Sequence, residues 1–268
     1  VLLVAVLTGF AAAVVGERAR PFVAITESAA EVLFRIVAFV MWLAPLGAFG
    51  AMAFTLGRFG WASLAPLARF MGVFYLTCAL FVLAVLGAVA RLAGFSVVRL
   101  IRYLRTEIVT VIGTSSSESV LAPLIDKLER LGCQRATVGL VVPTGYSFNL
   151  DGSTLYLALA SVFAAQASGL EMPLSQQLVM MLTLMLTSKG VAAVPRASLV
   201  ILSGAIAMFN LRLEAVAIIL GVDAVMDMAR TSVNLLGNCL ASAAMARWEG
   251  EFDDSAKGID AAGAQRAA

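Results

Sequence analysis

Three long apolar stretches of this chain are broken in the middle by short polar runs, and no other feature restricts its fold as much. Residues 97–131 are interrupted by Gly113-Thr114-Ser115-Ser116-Ser117-Glu118-Ser119, and residues 137–165 by Ser147-Phe148-Asn149-Leu150-Asp151-Gly152. Residues 173–208 are interrupted by Thr187-Ser188-Lys189-Gly190 and then by Ala193-Val194-Pro195-Arg196-Ala197-Ser198. The pieces on either side are shorter than the roughly 20 apolar residues that cross a hydrocarbon core. Breaks of this kind free backbone N–H and C=O groups. In lipid those groups would go unsatisfied, so each break must be buried in protein or line a wet cavity.

Composition says that lipid is the solvent. Hydrophobic residues make up 61% of the chain and charged residues 13%, with a mean hydropathy of +0.94. Soluble domains sit nearer roughly 45–50% apolar and about 25% charged, and no single water-soluble core hides such an excess. The expected fold class is an all-α polytopic membrane protein. A polar, amphipathic linker with Glu17, Arg18, Arg20, Glu27 and Glu31 precedes a long helix from about Glu31 to Leu56, kinked at Ala44-Pro45-Leu46-Gly47. After a turn at Gly57-Arg58-Phe59-Gly60, an apolar span covers about Trp61 to Leu92. A last helix covers about Arg212 to Trp248, and the tail Glu249 to Ala268 reads as disordered. The chain opens on Val1 inside an apolar run, with neither a basic leader nor an A-x-A cleavage pattern, so it reads as a fragment that starts within a truncated transmembrane helix.

Several function classes fall away early. A formal charge of +2 with no nucleic-acid motif excludes nucleic acid as a partner. The absence of histidine removes Ser-His-Asp and Cys-His catalysis and histidine-ligated haem or zinc. Cys78, Cys133 and Cys239 stand singly in apolar context, without metal-ligand spacing, and read as buried thiols.

Basic residues set the orientation. Arg18 and Arg20, the group Arg91, Arg99, Arg102 and Arg105, then Lys127, Arg130 and Arg135, and finally Arg247 all fall at ends that alternate onto one side. Little beyond Arg58 and Arg212 lies opposite. The positive-inside rule makes the first side and the C-terminus cytoplasmic, and the two outer broken segments then become re-entrant hairpins, one from each face. Paired broken segments around a broken helix point to a transporter binding site at the membrane midplane.

The last span carries Asp223, Asp227, Arg230, Thr231, Asn234 and Asn238 at i, i+4, i+7, i+8, i+11 and i+15, which is one stripe of a helix. Asp227 and Arg230 could simply neutralise each other, but six polar groups exceed what one pair requires. Ionisable groups at membrane depth cost a few kcal/mol each and mark a site or pathway. Asn149 and Asp151 beside an unwound turn make an oxygen-rich nest suited to a hard cation such as Na⁺. The serines at 115–117, between two half-helices, read as a nest of donors for an anionic group.

These motifs, in this order and at these intervals, resemble the dicarboxylate/amino acid:cation symporters, the glutamate transporter family: Thr114-Ser115-Ser116-Ser117, Asn149-Leu150-Asp151-Gly152, Val194-Pro195, and Asp223-x-x-x-Asp227-Met228-Ala229-Arg230-Thr231-x-x-Asn234. The likeness covers essentially residues 1–250. It implies a homotrimer in the cell's inner (plasma) membrane and an elevator-type fold of which this chain is the C-terminal part. Residues 1–60 correspond to the end of span four and span five, a scaffold part. Residues 61–248 correspond to a transport part: span six, hairpin 1 (about 97–131), broken span seven (about 136–167), hairpin 2 (about 173–208) and span eight (about 212–248).

The resemblance also implies roles. Arg230 would grip the substrate's side-chain carboxylate, with Ser153 beside it. Asp227 would meet an amino group, and Asn234, Thr231 and Ser116 an α-carboxylate, with the Val194 carbonyl at a hairpin tip. Gly145 through its carbonyl, Asn149, Asp151, Asn234 and Asn238 correspond to cation ligands. Departures accompany the matches. Asn238 stands where many sodium-coupled relatives carry aspartate, and Lys189 lies where backbone carbonyls elsewhere hold sodium. Thr114 and Met228 stand where amino-acid carriers place an arginine at one position or the other, and Leu157 replaces a glutamate that resembles a proton carrier in animal relatives.

The resulting expectation is secondary active symport of a small acidic solute, with no enzymatic chemistry and no cofactor besides the coupling ion. Glutamate or aspartate is favoured because a buried Asp227 needs a cation and a substrate ammonium would supply one. Arg196 is the other group in reach. C4-dicarboxylate symport is the alternative, and an anion-selective channel the second. Proton coupling is favoured over Na⁺ at Asn149 and Asp151, with Lys189 as a tethered cation. Glu118 is the candidate proton carrier, or else the cap of the second half-helix of hairpin 1.

Overall fold

The computed structural model describes residues 2–189, 197–209 and 214–253, and the regular elements among them are helical. The chain opens with α1 (Leu2–Val15) and α2 (Arg20–Met41), joined by a single 3₁₀ turn. The polar stretch expected to be a linker up to about Glu31 is therefore helix from Arg20 onward. Pro21 sits in the first turn, where its missing N–H has no intrahelical partner to lose, and nothing between Pro21 and Glu31 breaks a helix. The kink expected at Pro45 falls at a two-residue turn whose backbone stays in the right-handed helical region. Trp42 and Leu43 separate α2 from α3 (Ala44–Phe59), and Pro45 starts the new helix for the same reason.

Gly60, at φ 72°, takes a backbone conformation that L side chains rarely adopt and turns the chain into the next span. α4 (Leu64–Leu80), a π-helical turn (Phe81–Leu86) and α5 (Gly87–Leu92) continue one another. Together they lie within Trp61–Leu92, a helix of 32 residues that is long and apolar enough to cross a membrane.

α6 (Val97–Tyr103), α7 (Arg105–Thr114) and α8 (Leu121–Leu131) fill the first interrupted segment. α7 and α8 run antiparallel. Lys127 near the end of α8 reaches Glu107 at the start of α7 at 2.6 Å, and Tyr103 donates to the Lys127 carbonyl at 2.9 Å. The turn is made at Ser115, the one described non-glycine residue with positive φ (51°). Its N–H still closes onto the Val111 carbonyl at 2.7 Å, so one strained serine ends the helix where a glycine would be usual.

α9 (Arg135–Phe148) and α10 (Asp151–Ala167) are the two halves of the second interrupted segment, and α11 (Leu174–Ser188) and α12 (Ala197–Met208) are the arms of the third. α13 (Glu214–Trp248) is a single helix of 35 residues, about 53 Å long at 1.5 Å per residue. It is the axis of the structure, packing against α3, α4, α7, α9 and α10. Cys78, Cys133 and Cys239 are buried free thiols, as their context suggested.

Disorder was expected over Glu249 to Ala268; residues 254–268 lie outside the described residues, and residues 249–253 are engaged. The Asp253 N–H donates to the Gly132 carbonyl at 2.8 Å, Phe252 bridges to Cys133, and Glu251 accepts a hydrogen bond from Thr137. Arg247 anchors the strap, with its guanidinium 4.5 Å from the Phe95 ring centre and 4.7 Å from that of Phe252. The cause is local: Gly250 at φ 74° reverses the chain after α13 and lays it over the ends of α8 and α9.

Candidate solute and cation site

The polar stripe of α13 is buried along its whole length. Asp223, Asp227, Arg230, Thr231, Asn234 and Asn238 all expose less than a tenth of their surface. Facing them is the α9/α10 break, where Asn149 and Leu150 leave helical geometry and α10 restarts at Asp151 with no side-chain cap of its own. α13 supplies that cap. The Asn234 Oδ1 accepts the Gly152 N–H at 2.8 Å and the Ser153 N–H at 3.3 Å, while its Nδ2 donates to Ser153 Oγ at 3.1 Å. Two N–H groups orphaned by the break are thereby satisfied from another helix.

So close an approach needs glycine on both sides. A Cβ at Gly152 would strike the Arg230 carbonyl, and one at Gly237 would strike the Asp151 carboxylate. Asn238 lies against Gly145, and its Oδ1 accepts from Asn149 Nδ2 at 3.2 Å. The residues expected to hold a cation (Gly145, Asn149, Asp151, Asn234 and Asn238) thus come together around one break. No cluster of three or more carboxylate, thiol or imidazole residues that could hold a metal occurs among the described residues. A cation there would rest on amide and carbonyl oxygens with one carboxylate.

Arg230 is held from three directions. Its Nε donates to Asp227 Oδ1 at 2.9 Å and its Nη2 donates to the same oxygen. Nη1 lies 3.7 Å from Asp223 Oδ1, too far for a hydrogen bond, and has no hydrogen-bond partner among the described residues. The Tyr156 ring lies under the guanidinium at 4.4 Å, and the Tyr156 hydroxyl donates to Asp223 at 2.7 Å. The pairing of Asp227 with Arg230 that the spacing allowed is therefore present, but inside a larger cluster that also takes in Asp223, Tyr156 and Thr231, whose Oγ1 reaches Asp227 at 3.4 Å.

At the tip of the α7/α8 pair, Ser116 is half-buried. Its carbonyl accepts from Ser119 at 2.7 Å, and no hydrogen bond joins Ser116 to the α13 stripe among the described residues. Tyr146 on α9 ties this tip down through the Ser117 carbonyl at 2.9 Å. Glu118 sits half-buried in the turn that opens α8, where no side-chain capping bond forms. Lys189, the last described residue of the α11 arm, donates to the Phe148 carbonyl at 2.6 Å. Val194 and Arg196 lie outside the described residues.

Sequence reasoning missed Tyr156 and Tyr146. Both are ordinary aromatic positions in apolar helices, and only their contacts across helices mark them out. Asp223 was visible in the stripe but had no role until Tyr156 and Arg230 were placed beside it.

A buried guanidinium between two aspartates, facing a broken helix, is the polar centre of this otherwise apolar helical structure. The chain belongs to the sodium:dicarboxylate symporter family, whose sequence model matches residues 1–248. It is 49% identical over 254 residues to the C4-dicarboxylate transport protein of Laribacter hongkongensis, covering 94% of this chain and 58% of that one. The protein of the same name from Rhodospirillum rubrum is also 49% identical, over 94% of this chain and 57% of its own length. That of Paracoccus denitrificans is 48% identical, with 94% and 56% covered. This chain therefore spans a little over half the length of these relatives.

Proposed function

We propose that this chain forms the solute-carrying part of a cation-coupled symporter for C4-dicarboxylates, in preference to the glutamate or aspartate favoured by sequence alone. The observation that carries this reading is the Asp227–Arg230 pair. The preference for amino acids assumed that Asp227 lacked a cation and awaited a substrate ammonium. Arg230, one turn along the same helix, already provides that cation. The names of the curated relatives support the same choice.

In this reading Arg230 receives one substrate carboxylate through Nη1, the donor left without a hydrogen bond. Guanidinium offers planar paired donors to a carboxylate where ammonium does not. Ser153, Thr231 and Asn234 flank it, and the Ser116 tip takes the second carboxylate. The α7/α8 and α11/α12 pairs act as re-entrant hairpins from opposite faces. Residues 61–248 move as an elevator-type transport part against residues 1–60, within a homotrimer in the inner membrane with a cytoplasmic C-terminus. Protons drive the cycle, with Na⁺ at Asn149 and Asp151 as the runner-up.

The test is uptake of labelled succinate by the full-length protein in proteoliposomes, with pH and Na⁺ gradients imposed separately. Concentrative, saturable uptake that succinate and fumarate compete for better than aspartate supports the reading. Aspartate competing as well as succinate or better restores the amino-acid reading. Flux that never exceeds the electrochemical equilibrium of the anion indicates a channel.

A further inference from the structure

Lys189 is a charged residue that the solute-binding reading leaves unused, and its position is specific. It ends the α11 arm, where its own N–H closes onto Leu186 and Thr187. Its ammonium crosses to the end of α9 and donates to the Phe148 carbonyl at 2.6 Å. That carbonyl is among the last of α9, one of the acceptors a helix leaves without an intrahelical partner, and it sits at the negative end of the half-helix dipole. The ammonium's charge also acts on the Asp151 carboxylate across the break. Asp151 is held against Gly237 and accepts no hydrogen bond from any described residue. A carbonyl end, a carboxylate and an amide oxygen around one half-buried break form a nest for a monovalent cation, and the chain has placed a cation of its own on it.

We propose that the Lys189 ammonium is a built-in substitute for a bound cation at the α9/α10 break, fixing in place the positive charge that a sodium ion would otherwise supply there. The inference rests on the symport reading only for its consequence, that coupling does not run through sodium at this break. Like charges at close range repel, so the tethered ammonium keeps a free cation out of the oxygen set around Asn149 and Asp151. A lysine is suited to this because its ammonium is a compact point charge on a flexible stem.

The experiment measures thermal unfolding of the full-length protein in detergent, without substrate, in NaCl against choline chloride at equal ionic strength. The wild type is expected to unfold at the same temperature in both salts. Lys189→Met is expected to gain a sodium-specific upward shift, with at least tenfold tighter apparent Na⁺ binding than wild type, and to lose it again in the Lys189→Met, Asp151→Asn double variant. Lys189→Arg should behave as wild type. A sodium-specific shift in the wild type that Asp151→Asn removes overturns the proposal, and that comparison stands even if Lys189→Met fails to fold. A folded Lys189→Met with no sodium-specific shift overturns it equally. Because no substrate is present, failure here leaves succinate transport untouched, and failure of succinate uptake leaves this result standing.

Discussion

The ring of Tyr156 on α10 lies 4.4 Å beneath the guanidinium of Arg230 on α13. Since the Tyr156 hydroxyl also holds Asp223 at 2.7 Å, one side chain fixes both the cation and one of its counter-ions. Tyr156 is fully buried, so the hydroxyl needs a partner and the ring needs a packed face. The same contact supplies both. Arg230 is thereby held in one orientation, with Nη1 directed away from Asp227.

Arg230→Lys should abolish succinate uptake. An ammonium cannot donate to Asp227 twice while resting on Tyr156 and presenting a further donor to a solute. Arg230→Ala should in addition destabilise the protein by about 3–5 kcal/mol, because it strands buried carboxylates without their partner. Uptake in proteoliposomes and unfolding temperature in detergent separate the two effects.

Tyr156→Phe keeps the ring and removes the hydrogen bond to Asp223. A bond to a charged group is worth about 1.5–3 kcal/mol, so a loss of that size is expected, with succinate affinity reduced. Tyr156→Leu should lose about a further 0.5–2 kcal/mol with the cation–π contact. If the two variants unfold together, the ring contributes nothing and the stacking argument fails.

Gly152→Ala and Gly237→Ala should each cost about 1–3 kcal/mol through overpacking and suppress uptake. Their methyl groups would meet the Arg230 carbonyl and the Asp151 carboxylate. Gly204→Ala, where a Cβ meets nothing within 4 Å, is the control and should unfold and transport as the parent does.

Asn234→Leu removes the acceptor for the Gly152 and Ser153 N–H groups. Losing such a cap costs about 1–2 kcal/mol. Asn234→Asp retains an acceptor at the positive end of α10 and should recover most of the stability. Hydrogen exchange at Gly152 and Ser153 reads this directly: fast in Asn234→Leu, protected in Asn234→Asp.

Glu118→Gln tests the proton carrier. Uptake driven by an imposed pH gradient in the absence of sodium should be lost while exchange of internal for external succinate continues. Retained proton-driven uptake would clear Glu118 and leave it a local role in the turn that opens α8.

Local chemistry made much of this legible in advance. The breaks at 113–119 and 147–152 are written in runs of residues that, clustered together, favour helix ends. The α13 stripe is written in a period that any helix converts into one face. At Pro45 the expected kink is a two-residue turn of helical backbone, Trp42-Leu43, after which the proline opens α3. The strap at 249–253 was missed because its polar composition reads as solvated, whereas Gly250 folds it back onto Gly132 and Cys133.

The sequence by itself determined a helical membrane protein, the points where its helices break, and which face of the last helix is polar. Periodicity and helix termination depend on neighbours only a few residues apart. The tertiary structure alone decided that Asn234 caps a helix 82 positions away, that Arg230 is paired with Asp227, and that Lys189 rests on the Phe148 carbonyl. Those relations are set by how helices cross and by glycines that let their backbones touch, and no local pattern encodes the distance between two side chains on different helices.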